Sequence, residues 1–179
     1  MDHNHTSQFK NVLLKPLTEE NIENLRLWRN DSNNSKYLRT IPFITSEMQK
    51  SWYEKYLVND DELCFSINEI EELNKMVGSL SLYEFRNNQA EFGKILIGDS
   101  DAHGRSIGYH SVIAVLKIAF IDLCLEKVVL HVYDENIAAK HIYEKAGFVK
   151  KSSHLSNGMT ENYMELGRLE FLNMINKLK

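Results

Sequence analysis

Asn136-Ile137-Ala138-Ala139-Lys140-His141-Ile142-Tyr143-Glu144-Lys145-Ala146-Gly147-Phe148 is the stretch from which the rest of the chain is read. Asn136 suits a helix N-cap, because its side-chain oxygen can accept a backbone N–H of the first turn. Ala138 to Ala146 reads as a short helix. Gly147 stands where helices often end on a residue in the left-handed region, which glycine enters without steric cost. Just upstream, Val128-Val129-Leu130-His131-Val132-Tyr133 reads, with Lys127, as a buried strand. Ile107 to Leu125 is the strongest helical pattern, since Val112, Leu116, Ala119, Phe120 and Leu123 recur at three- and four-residue intervals. Ala90 to Ile97 reads as a strand before it. A strand–helix–strand run over 90–133 requires a right-handed crossover between parallel neighbours.

Toward the N-terminus, Val12, Leu13, Leu14 and Leu17 suggest a first strand ended near Pro16. Thr18 with Glu19 and Glu20 starts a helix whose stripe is Ile22, Leu25 and Trp28. A second helix begins at Ser46, which has capping-box spacing to Gln49; its inner face is Met48, Trp52, Tyr56 and Leu57. Strands over 63–70 and from Met76 to Tyr83 or Phe85 follow. Beyond the short helix, Phe148 onward and Met159 to Leu166 form an antiparallel pair around Asn157-Gly158, a dipeptide suited to hairpin turns. The expected architecture is an α/β (α+β) layered domain with a mixed sheet and helices on its faces.

Between the strand at 90–97 and the helix at 107–125 lies Asp101-Ala102-His103-Gly104-Arg105-Ser106-Ile107-Gly108-Tyr109. Unpaired amides at a helix start, together with the helix dipole, favour phosphate oxygens. Gly104 and Gly108 allow close backbone approach and Arg105 adds charge, although glycines alone fit a plain tight turn with a solvated arginine equally well. No Gly-Lys-Ser/Thr ends the segment, which excludes a Walker-type loop.

This turn resembles the acetyl-CoA-binding motif Q/R-x-x-G-x-G/A of the GNAT superfamily. His103, Ser106 and Gly108 stand at its specified positions; Gly108 matches, while His103 and Ser106 depart from it. The quoted 136–148 stretch resembles the later motif N-x-x-A-x-x-x-Y-E-K-x-G-F. Ala90-Glu91-Phe92-Gly93 is similar to the branch holding ribosomal-protein and polyamine acetyltransferases. The resemblance covers residues 90–168 by motif and the first half by element order.

The resemblance implies a GNAT-like, mostly antiparallel sheet with a splayed parallel pair, here 90–97 and 127–133, and acetyl-CoA as cosubstrate in the gap. It places the cofactor against Ile95, Leu96 and Ile97, against the turn His103, Gly104, Arg105, Ser106, Ile107, Gly108 and Tyr109, and against Asn136, Lys140 and Tyr143. Tyr143 would serve as general acid, since a phenol stays protonated near neutral pH with an ordinary pKa of about 10. Read alone, it is a packed aromatic on an amphipathic helix, and Asn136 is an N-cap. Glu91 would accept the amine proton, or is a solvated strand-end carboxylate; His131 and Glu84 are weaker candidates for the base.

The acceptor is implied to be a small primary amine. Leu27-Trp28-Arg29-Asn30, Tyr37-Leu38-Arg39 and Trp52-Tyr53 resemble amino-sugar N-acetyltransferases acting on nucleotide-linked sugars, with Arg26, Arg29, Lys36 and Arg39 available to a diphosphate. Trp28, Arg29, Arg39 and Tyr83 are the candidate acceptor contacts. A polyamine or a protein N-terminus is the alternative acceptor, and a non-catalytic acyl-CoA sensor is the alternative of another class.

Bulk properties bound these readings. A chain of 179 residues fits residues 1–9 as a flexible tail and 10–179 as one N-acetyltransferase domain. A net charge of −4 offers no basic face for nucleic acid. No apolar run approaches the roughly 20 residues that span a bilayer, and Met1-Asp2-His3-Asn4-His5 lacks a secretory signal's pattern. Cys64 and Cys124 are read as two buried free thiols in a reducing compartment, which points to the cytoplasm. No metal site is expected, and a homodimer is compatible with this reading.

Overall fold

The computed structural model describes residues 3–34, 42–156 and 158–177. The strands β1 (Ser7–Phe9) and β2 (Val12–Pro16) are followed by α1 (Ile22–Asn30) and α2 (Ser46–Val58). Then come β3 (Glu62–Glu69), β4 (Lys75–Arg86), β5 (Gln89–Ile97), α3 (Ile107–Lys117), β6 (Lys127–Tyr133) and α4 (Ile137–Lys145). The hairpin β7 (Val149–Ser156) and β8 (Met159–Gly167) and the helix α5 (Arg168–Ile175) complete the order. Among the described residues one sheet runs β1-β2-β3-β4-β5-β6-β8-β7. Neighbours are antiparallel except β5 and β6. The mixed, mostly antiparallel sheet flanked by helices is the one the sequence led us to expect.

Strand alternation divides the side chains between two faces. On one, the α3 face, Val12, Leu14, Phe65, Leu80, Leu82, Phe92, Leu130 and Met164 pack with α3, Tyr143 and Phe171 into the principal core. Each large side chain buried there contributes about 1.5–3 kcal/mol relative to exposure. On the other, the α1 face, Leu17, Leu25, Tyr56, Cys64 and Leu96 make a smaller cluster with Trp28, Trp52 and Tyr53.

Several elements differ from the sequence-based reading. Ser7–Phe9, expected to be frayed, pairs antiparallel with β2, after a turn in which Lys10 takes φ 52°. The expected helix over 107–125 is α3 continued by a π-helical turn, Ile118–Asp122, and stops before Cys124, whose φ of 54° no helix accommodates. The cap of α2 is Thr45, which accepts from the Met48 amide at 3.2 Å, and not Ser46. In α2, Met48 and Leu57 are exposed, and the residues facing inward are Gln49, Trp52, Tyr53 and Tyr56. Tyr56 sets that rotation: its ring is buried while its hydroxyl accepts the Cys64 amide at 3.2 Å. Helix α5 had no sequence-based expectation. Cys64 is buried but Cys124 is exposed. Among the described residues, no helix is long and apolar enough to cross a membrane.

Candidate active site

The parallel pairing of β5 with β6 holds for Gln89, Ala90 and Glu91, opposite Lys127, Val128 and Val129, and stops there. Both strands continue, so they fork. The cause lies on the other side of β5. Ser81 of β4 opposes Gly93 and Ser79 opposes Leu96, so two steps of β4 meet three of β5. The extra residue is a bulge at Lys94, with φ 53°, and a bulge bends its strand and raises the local twist. Its ammonium reaches Glu62 Oε1 at 2.6 Å and sits 4.5 Å from the centre of the Tyr83 ring. The bulge also restores side-chain parity: Phe92 and then Ile95 and Ile97 pack toward the α3 face, while Leu96 joins the α1 face. Past Glu91, the β6-facing backbone groups of β5 have no ladder partner among the described residues.

Two candidate residues flank the fork from opposite faces. Phe92, the first residue beyond the last paired one, meets the Tyr143 ring edge-on at 5.8 Å between centroids. Phe148 meets the same ring edge-on at 6.1 Å. Burial in this apolar setting pushes the Tyr143 phenol well above its ordinary range, so the hydroxyl stays protonated. Among the described residues that hydroxyl has no hydrogen-bond partner, and it is not sealed from solvent. It is free to donate.

On the α1 face the surroundings are polar. The Tyr83 hydroxyl donates to Glu91 Oε1 at 2.6 Å, and His131 Nδ1 lies 3.2 Å from that same oxygen. Gly93 makes room for this contact, because a Cβ there would come within 2.7 Å of the Tyr83 hydroxyl. Glu84, the other carboxylate considered, is an exposed residue beside Arg86 and stands apart from this group. His131 was among the weaker readings from the sequence; a histidine at an odd position of β6, on the same face as Glu91, is the signal that could have raised it.

The turn from 103 to 109 leads into α3. Ser106 caps the helix in a left-handed conformation, φ 59°, and its carbonyl accepts the His110 amide at 3.0 Å. The amides of Ile107, Gly108 and Tyr109 therefore precede the first helical hydrogen bond. A Cβ on Gly104 would meet nothing, whereas one on Gly108 would press on Ile142 of α4 at 3.2 Å, so Gly108 is where the two helices approach closely. Lys145 of α4 sits over the Tyr109 ring at 4.3 Å. The turn and Tyr143 thus lie on the same side of the sheet. Lys75 pins the turn to β4 through Asp99 at 2.8 Å and Asp101 at 3.1 Å.

Other expected contacts are engaged within the protein. Arg105 pairs with Glu72 and also donates to the Asp101 carbonyl at 2.8 Å. Lys140 pairs with Asp134 at 2.6 Å. Asn136 caps α4 by accepting the Ala139 amide at 3.2 Å. His103 is exposed. Trp28 packs against Gly98, where a Cβ would fall 2.1 Å from Trp28 Cγ. Arg29 is half-buried, and burial lowers its pKa against the opposing pull of Glu62. Arg26 is committed to Glu23 at 2.6 Å and to the Ile44 carbonyl. Lys36, Tyr37, Leu38 and Arg39 lie outside the described residues.

The fork, the helix-start turn and the Tyr143 phenol are thus gathered around one region of the sheet. Residues 11–149 match the model of the acetyltransferase (GNAT) domain. The chain belongs to the GNAT acetyltransferase family. An N-acetyltransferase 9-like protein of Caenorhabditis briggsae is 30% identical over 129 residues, 67% of this chain and 63% of that protein. The chain therefore spans less than two thirds of that relative's own length. The spermidine N(1)-acetyltransferase of Vibrio cholerae is 25% identical over 165 residues, 90% of this chain and 92% of that one. The crystal structure of the Vibrio cholerae spermidine N-acetyltransferase in complex with CoA and spermine superposes with a TM-score of 0.83 at 22% identity. It covers 92% of this chain and 100% of that chain, a likeness of fold.

Proposed function

We propose that this GNAT protein transfers the acetyl group of acetyl-CoA to a small primary amine, with Tyr143 as general acid and Glu91 as general base. One observation supports it most: at the point where β5 and β6 part, an apolar face offers a phenol unpartnered among the described residues and the opposite face offers a carboxylate. The residues present fit the cosubstrate. The unladdered β5 edge around Ile95, Leu96 and Ile97 would pair with an amide-bearing arm, and the amides of Ile107, Gly108 and Tyr109 would hold phosphate oxygens. Gly104 leaves open space beside that turn, Arg105 adds charge once released from Glu72, and Asn136 with Lys140 borders the same side.

The thioester supplies an activated acyl carbon, and the residues here manage protons and orientation. Glu91 takes a proton from the amine, so that nitrogen attacks with its lone pair. Tyr143 gives its proton to the departing sulfur. Tyr83 holds Glu91 toward the fork through its hydrogen bond, and the bulge at Lys94 keeps the strands apart.

For the acceptor, a polyamine is favoured. The acceptor side carries Glu91 with the aromatic rings of Trp28, Tyr53 and Tyr83, which suit an alkylammonium, and the 25% identical relative acts on spermidine. A nucleotide-linked amino sugar is the second reading; it rests on Arg29, whose half-buried guanidinium suits a phosphate. Thiol release from acetyl-CoA should be followed with spermidine, a nucleotide-linked amino sugar and a peptide N-terminus. Turnover with spermidine is expected. Silence with every amine, despite coenzyme binding, would leave the acyl-CoA sensor as the better description.

A further inference from the structure

An aliphatic amine is an ammonium at neutral pH, its pKa lying near that of lysine at about 10.4. Making it an amide removes two protons from nitrogen, one before attack and one after the C–N bond forms. The C–S bond breaks and the thiolate takes up one proton, so each turnover releases one proton net. On the acetyl-transfer reading, which a relay at this site requires, Tyr143 protonates sulfur from the α3 face and regains its proton from solvent. Both protons of the nitrogen then leave past Glu91 on the α1 face. One carboxylate holds one proton, so Glu91 must be discharged between the two losses.

The contacts of Glu91 show where the proton goes. Among the described residues its Oε1 touches two groups, the Tyr83 hydroxyl at 2.6 Å and His131 Nδ1 at 3.2 Å. Tyr83 already donates its proton there, and a phenol does not take up a second proton near neutral pH. An imidazole does, and its two nitrogens allow it to receive at one and release at the other. The His131 side chain is 34% exposed against 16% for Glu91, so the ring lies between the carboxylate and water.

The other ionisable groups facing His131 are occupied. Tyr163 of β8 tilts against its ring at 5.2 Å between centroids and donates to Glu165 at 2.8 Å. Glu165 also pairs with Lys127 of β6 at 3.1 Å. His154 of β7 stands edge-on to His131 at 6.2 Å and pairs with Glu161 at 3.2 Å. Burial, with help from Glu165, pushes the Tyr163 phenol up to about 12, so it stays neutral and leaves the relay to the imidazole.

We propose that His131 is the proton relay that discharges Glu91. The carboxylic acid proton passes to Nδ1 while Nε2 loses its proton to solvent, and a tautomer exchange resets the ring. Nothing is oxidised or reduced.

The test is a pH profile of kcat and kcat/KM for the amine in wild type and His131→Gln. We expect His131→Gln to lower kcat about 10- to 100-fold near neutral pH, the low end of general acid–base contributions. The amine KM should stay unchanged. The deficit should close as pH rises toward the amine's own pKa, where the substrate arrives neutral and one proton fewer must leave, and imidazole in the buffer should restore turnover. A deficit constant across pH and insensitive to imidazole would mean a merely structural histidine and would overturn the relay, as would no deficit at all. A readout free of turnover is the pair of ring 15N signals of His131. Glu91→Gln should redistribute the proton between the two nitrogens; identical signals would also overturn the proposal. A wild-type protein that transfers no acetyl group would remove the relay together with the reading beneath it, whereas active wild type matched by His131→Gln at every pH would remove the relay alone.

Discussion

The two faces of the sheet at the fork are built on opposite principles. On the α3 face Tyr143 is wedged edge-on between Phe92 and Phe148, with desolvation as the one influence on its phenol. On the α1 face Glu91 sits in a ring of hydroxyl, imidazole and carboxylate groups. A dry face keeps a proton on oxygen, and a wet one lets protons come and go. On the proposed reading the acid and the base need no direct contact: the sheet stands between them, and the fork is the opening through which both would meet one substrate.

The largest effect should come from breaking the wet side. Glu91→Gln is expected to lower kcat at neutral pH by about 10²- to 10³-fold, with coenzyme affinity by calorimetry unchanged. The loss should shrink as pH rises and the amine becomes neutral. A loss that is flat with pH would assign Glu91 to binding.

Gly98→Ala is a packing test of the same face. A Cβ there would lie 2.1 Å from Trp28 Cγ, so the indole must move. Overpacking of this kind costs about 1–3 kcal/mol, to be read by thermal or urea unfolding, and the acceptor KM should rise while that of acetyl-CoA holds. Unchanged stability would show that Trp28 is not seated against β5.

A smaller change probes the turn. Glu72→Gln frees Arg105 from its exposed pair, and exposed pairs contribute about 0.2–1 kcal/mol. Coenzyme A should therefore bind about 1.4- to fivefold tighter, and Arg105→Ala should bind weaker than wild type. Equal affinity in both variants would place Arg105 outside the phosphate site.

The two faces should also respond oppositely to pH. Burial by itself would raise the Glu62 carboxyl, but the Lys94 ammonium with the Cys64 and Ser81 groups outweighs it and holds the carboxyl low. A carboxylate lowered in the fold adds stability above its unfolded pKa, about 4.3, and loses it as pH falls. Tyr143, raised by burial, adds stability below its unfolded pKa of about 10 and loses it as pH rises. Urea midpoints should thus show Glu62→Gln flattening the acid limb and Tyr143→Phe flattening the alkaline one. An unaltered limb in either case would contradict the corresponding assignment.

How much of the molecule was legible in the sequence obeys the same division. From Gln89 to Lys145 the pattern is dense: a long apolar helix, a buried strand and the Asn136–Phe148 motif each imply one local structure. The turn at 103–109 was readable too, although Ser106 hides its left-handed conformation behind a residue that seldom adopts it. The fork was anticipated from resemblance, but its cause was not. Lys94 looks like any surface lysine, and the bulge is visible only once β4 and β5 are in register. Met48 and Leu57 misled because α2 is oriented by the Tyr56 hydroxyl bonding to β3, a tertiary contact that hydropathy does not encode. Ser7–Phe9 is polar and acquires its strand by pairing alone. The contact of His131 with Glu91 was not legible, because it depends on the pairing of β5 with β6.

The division of labour between the faces is tested most directly by Tyr143→Phe, comparing turnover with coenzyme A affinity in the same preparation. Among the described residues the hydroxyl has no partner to lose, so folding at neutral pH and coenzyme binding should match wild type, while kcat for acetyl transfer falls by about 10²-fold or more. A variant that turns over at the wild-type rate, with binding intact, would contradict the account, because the dry face would then hold no acid.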